Sequence, residues 1–183
     1  GVYNEVTFVN AGEIEVFGDK GIGVYSKGIT ADTTLSNKIT VSGDGSIALF
    51  SDGANSSNFR IGTLVLNVSG NDAYAFYAKN GGGYNITGNA AINIGAGSIG
   101  FQYVGSGLNT AVNPLDITTM FNAGGGTLTF NLDPNSYAMV IQNAKINISD
   151  LGTFTSIMPS HITMSGSDKA NIYKGHLELD EHS

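Results

Sequence analysis

The sequence has no cysteine, no tryptophan and only 3 prolines, and charged residues fill just 13% of its 183 positions. Without cysteine there can be no disulfide, no thiolate metal site and no thiol nucleophile. Arginine is nearly absent as well: Arg60 stands alone, and the lysines are scattered singly. With a formal net charge of −7 and a sequence pI near 4.6, the chain lacks the clustered cations that neutralise phosphates, which argues against nucleic acid as a partner. No run approaches the roughly 18 consecutive apolar residues of a membrane-spanning helix, so this segment is not expected to insert directly into a membrane. No basic-then-apolar leader opens the sequence, and it is expected to be part of a longer exported chain.

Uninterrupted helical windows are missing too. Glycine, proline and asparagine punctuate the chain so densely that the longest stretch free of all three is 8 residues. An ordinary helix runs to about 11, and an interior glycine costs about 1 kcal/mol relative to alanine. What remains is plentiful: 41% hydrophobic residues and 26 glycines, a composition too apolar for disorder and long enough for a single domain over 1–183. Short apolar runs bounded by Gly, Asn, Asp and Ser predict an all-β chain.

Internal repetition gives that prediction its form. A phrase of two alternate apolar residues, a turn residue and a second apolar run recurs six times. It begins as Ile14-Glu15-Val16, Gly18 and Ile22 to Tyr25, and returns as Ile39-Thr40-Val41, Gly43 and Ile47 to Phe50. Later copies centre on Val68, Ile94, Leu132 and Met164; taken as equivalent to Val16 and Val41, these six lie 25, 27, 26, 38 and 32 residues apart. A third apolar patch falls between copies: Val6-Thr7-Phe8, Ile29, Phe59-Arg60-Ile61, Tyr84-Asn85-Ile86, Leu115-Asp116-Ile117, Ile146-Asn147-Ile148 and Leu177-Glu178-Leu179. Three short strands per repeat cannot bury their own apolar side chains, but stacked repeats can. The expected fold is a parallel β-helix, a solenoid of about six coils with three short strands each. Its aliphatic ladders lie inside, and Asn67, Asn93 and Asn131 face outward.

The phrase Gly12-Glu13-Ile14-Glu15-Val16-Phe17-Gly18 with Gly23-Val24-Tyr25-Ser26, and its echo over Ile39 to Ser51, resembles the passenger repeats of bacterial autotransporter adhesins. The resemblance implies a right-handed β-helix and an extracellular position on the bacterial surface, attached through a C-terminal outer-membrane barrel outside this segment. It further implies a monomeric, non-catalytic rod that contacts a host or bacterial surface protein or glycan. The alternatives it leaves open are a glycan-cleaving β-helix of the tailspike kind and the stalk of a passenger protease or toxin.

Chemistry is sparse. The three histidines, His161, His176 and His182, crowd the last 23 residues, and no Gly-x-Ser-x-Gly elbow accompanies them. Glycine-rich phrases at Gly81-Gly82-Gly83 and Gly124-Gly125-Gly126 lack the Lys-Ser/Thr and helix of a phosphate cradle. Asp19, Asp44 and Asn71 each follow the glycine of an equivalent turn and are expected to satisfy turn geometry rather than hold a cation. No cofactor or metal is expected. Two features are candidates for recognition. The widest spacing places an insertion at 104–126, with Asn109, Asn113, Asp116, Met120, Phe121 and Asn122 as candidate binding-loop residues; a smaller insertion falls at 150–161. Tyr25, Phe50, Tyr77, Tyr103 and Tyr173 recur at the end of the second strand as a candidate aromatic stripe. Strict alternation puts the first three outside, but Phe101 and Tyr103 flank Gln102 and should face in, so stacking inside or at a corner is the expectation.

Overall fold

The computed structural model of the chain describes residues 1–148, 158–166, 171–174 and 177–179. Within them the protein is all-β, with one 3-10 turn at Ser56–Asn58 and one short helix, and every strand pair is parallel. One sheet runs through Val2–Asn4, Ile22–Lys27, Ile47–Asp52, Tyr74–Lys79, Ile99–Val104, Tyr137–Gln142 and Asn171–Lys174. The second runs through Phe121–Ala123, Tyr84–Ile86, Phe59–Ser69, Asn89–Ile94, Thr127–Leu132 and Ile162–Gly166. Asp32–Ser42 joins Phe59–Ser69 in it, and Thr7–Asn10 and Glu13–Phe17 pair with Asp32–Ser42. Neither sheet closes on itself.

Each strand pairs with its counterpart one repeat away, so like residues stack on like. Ile14 pairs with Ile39, Ile39 with Leu66, Leu66 with Ile92, Ile92 with Phe130 and Phe130 with Met164. Val16, Val41, Val68, Ile94 and Leu132 form the neighbouring column as their spacing predicts. The last repeat departs from expectation by two residues, since Gly166 rather than Met164 pairs with Leu132. On the facing sheet Val24, Leu49, Phe76, Phe101 and Met139 stack in the same way. Side chains from both sheets meet in one apolar core. Its centre is aromatic: Phe76 lies 4.9 Å from Tyr84, 5.2 Å from Phe121 and 5.9 Å from Phe130, ring centre to ring centre.

The outer face of the second sheet carries a polar ladder. Asn93 Nδ2 donates to Asn67 Oδ1, Asn131 Nδ2 to Asn93 Oδ1, and Ser165 Oγ to Asn131 Oδ1, at 2.8, 2.8 and 3.1 Å. At the turns Gly43 and Gly70 adopt φ of 137° and 126°, and a Cβ on Gly70 would lie 2.4 Å from the Gly43 carbonyl oxygen. Stacked turns here leave no room for a side chain.

Two expected third strands fall elsewhere. Ile29 is exposed, and the strand begins at Asp32. Leu115-Asp116-Ile117 belongs to helix α1 (Pro114–Met120), and the residues that pair with Tyr84-Asn85-Ile86 are Phe121-Asn122-Ala123. The helix forms because Pro114 presets its first turn and Asn113 and Asp116 cap each other's backbone amides in a reciprocal box. Ile117 and Met120, one turn apart, anchor it to the core. The segments Ile146–Ile148 and Leu177–Leu179 pair with each other in parallel, as the third patch predicts. Most of the extension expected at 150–161 lies outside the described residues.

Phe121→Ala is expected to lower stability by about 3–5 kcal/mol in urea unfolding, because it empties the centre of the core. Gly70→Ala should cost at least about 1 kcal/mol through its positive φ and the clash with Gly43. Leu115→Ala, at a side chain 78% exposed, should stay within about 0.5 kcal/mol.

Candidate functional site

The long insertion leaves the first sheet after Val104 and returns at Phe121, and its inner side is held firmly. Val112, Ile117 and Met120 are buried. The Val112 amide donates to the Lys145 carbonyl at 2.7 Å, and the Gly105 amide to Gln142 at 2.9 Å. Its outer side mixes apolar and polar residues: Val104, Leu108 and Leu115 are 47%, 58% and 78% exposed, beside exposed Ser106, Asn109, Thr110, Asn113 and Thr119. Of the candidate loop residues, Asn109 is exposed and unengaged among the described residues. Asn113 and Asp116 are occupied as the helix cap. Met120 and Phe121 are core residues, and Phe121 stacks on Tyr84 at 5.7 Å. Asn122 donates to Ser56 Oγ at 2.7 Å, which ties the returning strand to the 3-10 turn.

Of the candidate aromatic stripe, Tyr25, Phe50 and Tyr77 lie on the outer face, whereas Tyr103 is buried. Tyr3 pairs with Tyr25, Tyr25 with Phe50 and Phe50 with Tyr77, all partly exposed, while Val24, Leu49 and Phe76 beside them are buried. Tyr25 and Phe50 stack at 4.6 Å with ring planes 15° apart, and Phe50 meets Tyr77 edge-on at 5.0 Å. Phe101 and Tyr103 face in as expected, but the expectation of interior stacking fails for Tyr25, Phe50 and Tyr77 because of register. Gln102, not Tyr103, pairs with Tyr77, and Phe101 continues the buried column. Tyr103 pairs with Ile141 in a different column, and the Tyr173 backbone pairs with Met139 rather than continuing the stripe. The side chain of Tyr173 lies outside the described residues.

At the end of the stripe sits a charged node that the sequence did not single out. Asp52 is only 8% exposed. Its carboxylate accepts from the Tyr25 hydroxyl at 2.6 Å and from Asn80 Nδ2 at 2.6 Å, and pairs with Lys79 Nζ at 3.2 Å. Lys79 also lies 5.1 Å over the Phe50 ring. Burial alone would raise the Asp52 pKa, but the hydrogen bonds from Tyr25, Asn80 and Lys79 outweigh it and hold the group below its ordinary value of 3.8. The Tyr25 phenol is pushed up to about 12, first by its hydrogen bond to the Asp52 carboxylate and then by burial.

Lys79 and Asn80 form one wall of a cleft of about 220 Å³ between the turn at Ala78–Gly82 and the insertion. Val104, Thr119 and Met120 form the opposite wall, with Gln102 and Tyr103 also lining it. Asn80 and Gly81 hold the turn open with φ of 53° and 75°. Gln102 is buried, and its Nε2 donates to Gln142 Oε1, but its own Oε1 has no partner. A buried amide oxygen left unpaired costs about 1–3 kcal/mol. Turning the amide over would set its oxygen against Gln142 Oε1 unless Gln142 turned as well, and would in either case leave the Gln102 amide donor unpaired in place of the acceptor. The Tyr103 hydroxyl also has no hydrogen-bond partner among the described residues, and burial, with the nearby Asp116 charge, raises its pKa to about 12. The sequence signal for this cleft was the amide at position 102, where the outer column changes from aromatic residues (Tyr25, Phe50, Tyr77) to Gln102 and then Val140.

The remaining candidates are structural. The Asp44 and Asn71 amides are capped by Asp19 Oδ1 and Asp44 Oδ1 at 3.0 and 2.8 Å, so the turn acids bind the backbone of the next repeat. Among the described residues no three His, Asp or Glu side chains come together as a metal site requires. His161 Nε2 donates to the Phe121 carbonyl at 2.9 Å; His176 and His182 lie outside the described residues. No protein-family model, curated protein or solved structure matches the chain.

Asp52→Asn should lower stability at neutral pH and flatten its acid dependence. A depressed carboxylate pKa contributes stability above about pH 4 that is lost as pH falls through the folded-state value. The raised Tyr25 phenol works in the other direction: its contribution is intact below about pH 10 and is lost as pH rises through about 12. Unfolding followed against pH should show both limbs, and Tyr25→Phe should shrink the alkaline one, to which Tyr103 also contributes.

Proposed function

We propose that the chain is a length of a bacterial autotransporter adhesin passenger, folded as a right-handed parallel β-helix of about six coils with three short strands each. The climb of every strand column by one repeat per step supports the helical path, and the strong right-handed preference of parallel crossovers supports the hand. In this reading the segment is a stiff, monomeric, non-catalytic rod at the bacterial surface, attached through an outer-membrane barrel elsewhere in the protein. Its partner is a host or bacterial surface protein or glycan.

The observation that carries the proposal is the insertion between Val104 and Phe121. A segment needed only to continue the rod would have closed the repeat in a few residues, as the turns between earlier strands do. Here the excess chain is anchored from beneath by Val112, Ile117 and Met120, yet displays Leu108 and Leu115 to solvent. Rigid support under an exposed apolar surface is what a contact site requires. Among the described residues the best-buried acid, Asp52, is held ionised by three donors and has no proton to give at neutral pH, so it is not a general acid.

The test is binding of the purified segment to cultured epithelial cells and to bacterial cells. Saturable binding is expected, weakened at least tenfold by the double substitution Leu108→Ser and Leu115→Ser, with unfolding unchanged. No saturable binding by the unaltered segment would overturn the adhesin reading. Equal binding by the double variant would move the contact away from the insertion.

A further inference from the structure

We infer that the cleft between the Ala78–Gly82 turn and the insertion is a binding site for one neutral, hydroxyl-rich ring, the end residue of a glycan. The inference rests on the adhesin reading for its biological meaning, but its chemistry stands on the cleft alone.

Size comes first. A space of about 220 Å³ is smaller than the roughly 300–1,000 Å³ of sites for drug-sized ligands, and suits one ring better than an extended chain. Charge comes second. Among the described residues the only charged side chain in the walls is Lys79, and it is already paired with Asp52 and placed over Phe50. An anion would have to compete with Asp52 for it, and a cation would meet it directly, so the site favours a neutral ligand.

Hydrogen bonding decides the class. Gln102, 5% exposed, has one amide atom without a partner whichever way the amide is turned. Tyr103, 8% exposed, brings a hydroxyl that has no hydrogen-bond partner among the described residues. A ligand hydroxyl is donor and acceptor at once, so it satisfies the Gln102 amide in either orientation and Tyr103 as well. The Gln102 oxygen is sealed from solvent in the empty cleft, so binding requires its side chain to turn toward the ligand. The amide pairing it would leave, on exposed Gln142, is readily replaced by water. The Tyr103 ring and the Met120 and Val104 side chains supply the apolar surface that the carbon face of a sugar ring needs.

The experiment is saturation-transfer NMR on the purified segment with methyl glycosides of glucose, galactose, mannose, N-acetylglucosamine and N-acetylgalactosamine. At least one should receive transfer from the protein, and titration should show it weakened at least fivefold by Tyr103→Phe. Gln102→Leu, which removes the unpaired amide, should abolish binding while leaving unfolding unchanged or raised. Unaltered binding in both variants would overturn the site. So would no transfer to any of the five sugars, since the orphaned amide would then be met by a buried water only. Cell binding without sugar binding would sink this inference and leave the adhesin reading intact. Sugar binding without cell binding would do the reverse.

Discussion

Everything in this protein depends on parallel pairing between residues one repeat apart. Parallel strands lie about 4.8 Å apart, so a residue meets its own equivalent rather than a residue of complementary kind. A position that suits the core therefore suits it in every repeat, as the column from Ile14 to Met164 demonstrates. The same rule turns polar positions into ladders. Asn67, Asn93 and Asn131 form a hydrogen-bonded chain because each amide donates to the one before and accepts from the one after. A side chain that is both donor and acceptor can be repeated without limit; an aspartate cannot. Where acids do recur, at Asp19 and Asp44, they accept from backbone amides instead of from each other.

The stacking rule also explains where the structure can vary. Strand columns are tightly constrained, since moving one residue shifts every contact above and below. Connections are not, so excess chain collects in one connection and becomes a folded insertion with its own capped helix. Even there the chain must return in register, and Phe121 brings it back by filling the centre of the aromatic core. The cleft is a consequence of that return. The insertion passes over the outer column at the position after Tyr77 and covers Gln102, leaving a small space beside a buried amide oxygen that has no partner.

Much of the strand arrangement was legible in the sequence because apolar alternation and turn residues recur together. Val16, Val41, Val68, Ile94 and Leu132 occupy one column as their spacing implied. Exact register was not legible where the pattern is degenerate. Alternation read Phe101 and Tyr103 correctly as facing in, but it did not show that the outer column of Tyr25, Phe50 and Tyr77 continues into Gln102 rather than Tyr103, which the pairing of Tyr77 with Gln102 decides. Leu115-Asp116-Ile117 reads as a strand by alternation alone. Pro114 with the Asn113 and Asp116 cap overrides it, a local hydrogen-bond economy that apolar spacing does not register. The cleft was the least legible part, because it joins residues from the turn at Ala78–Gly82 with residues about 20 to 40 positions later that no motif connects.

The most direct measurement of the account is disulfide trapping of register, which the absence of native cysteine makes clean. Paired residues on adjacent strands fall within the Cα separation of about 4.4–6.8 Å that a disulfide spans. The account predicts that Tyr77→Cys combined with Gln102→Cys oxidises to an intramolecular crosslink, while Tyr77→Cys combined with Tyr103→Cys stays reduced under the same conditions. Efficient crosslinking of 77 to 103, with 77 and 102 left free, would contradict the register on which the outer aromatic column, the buried Gln102 and the cleft all rest.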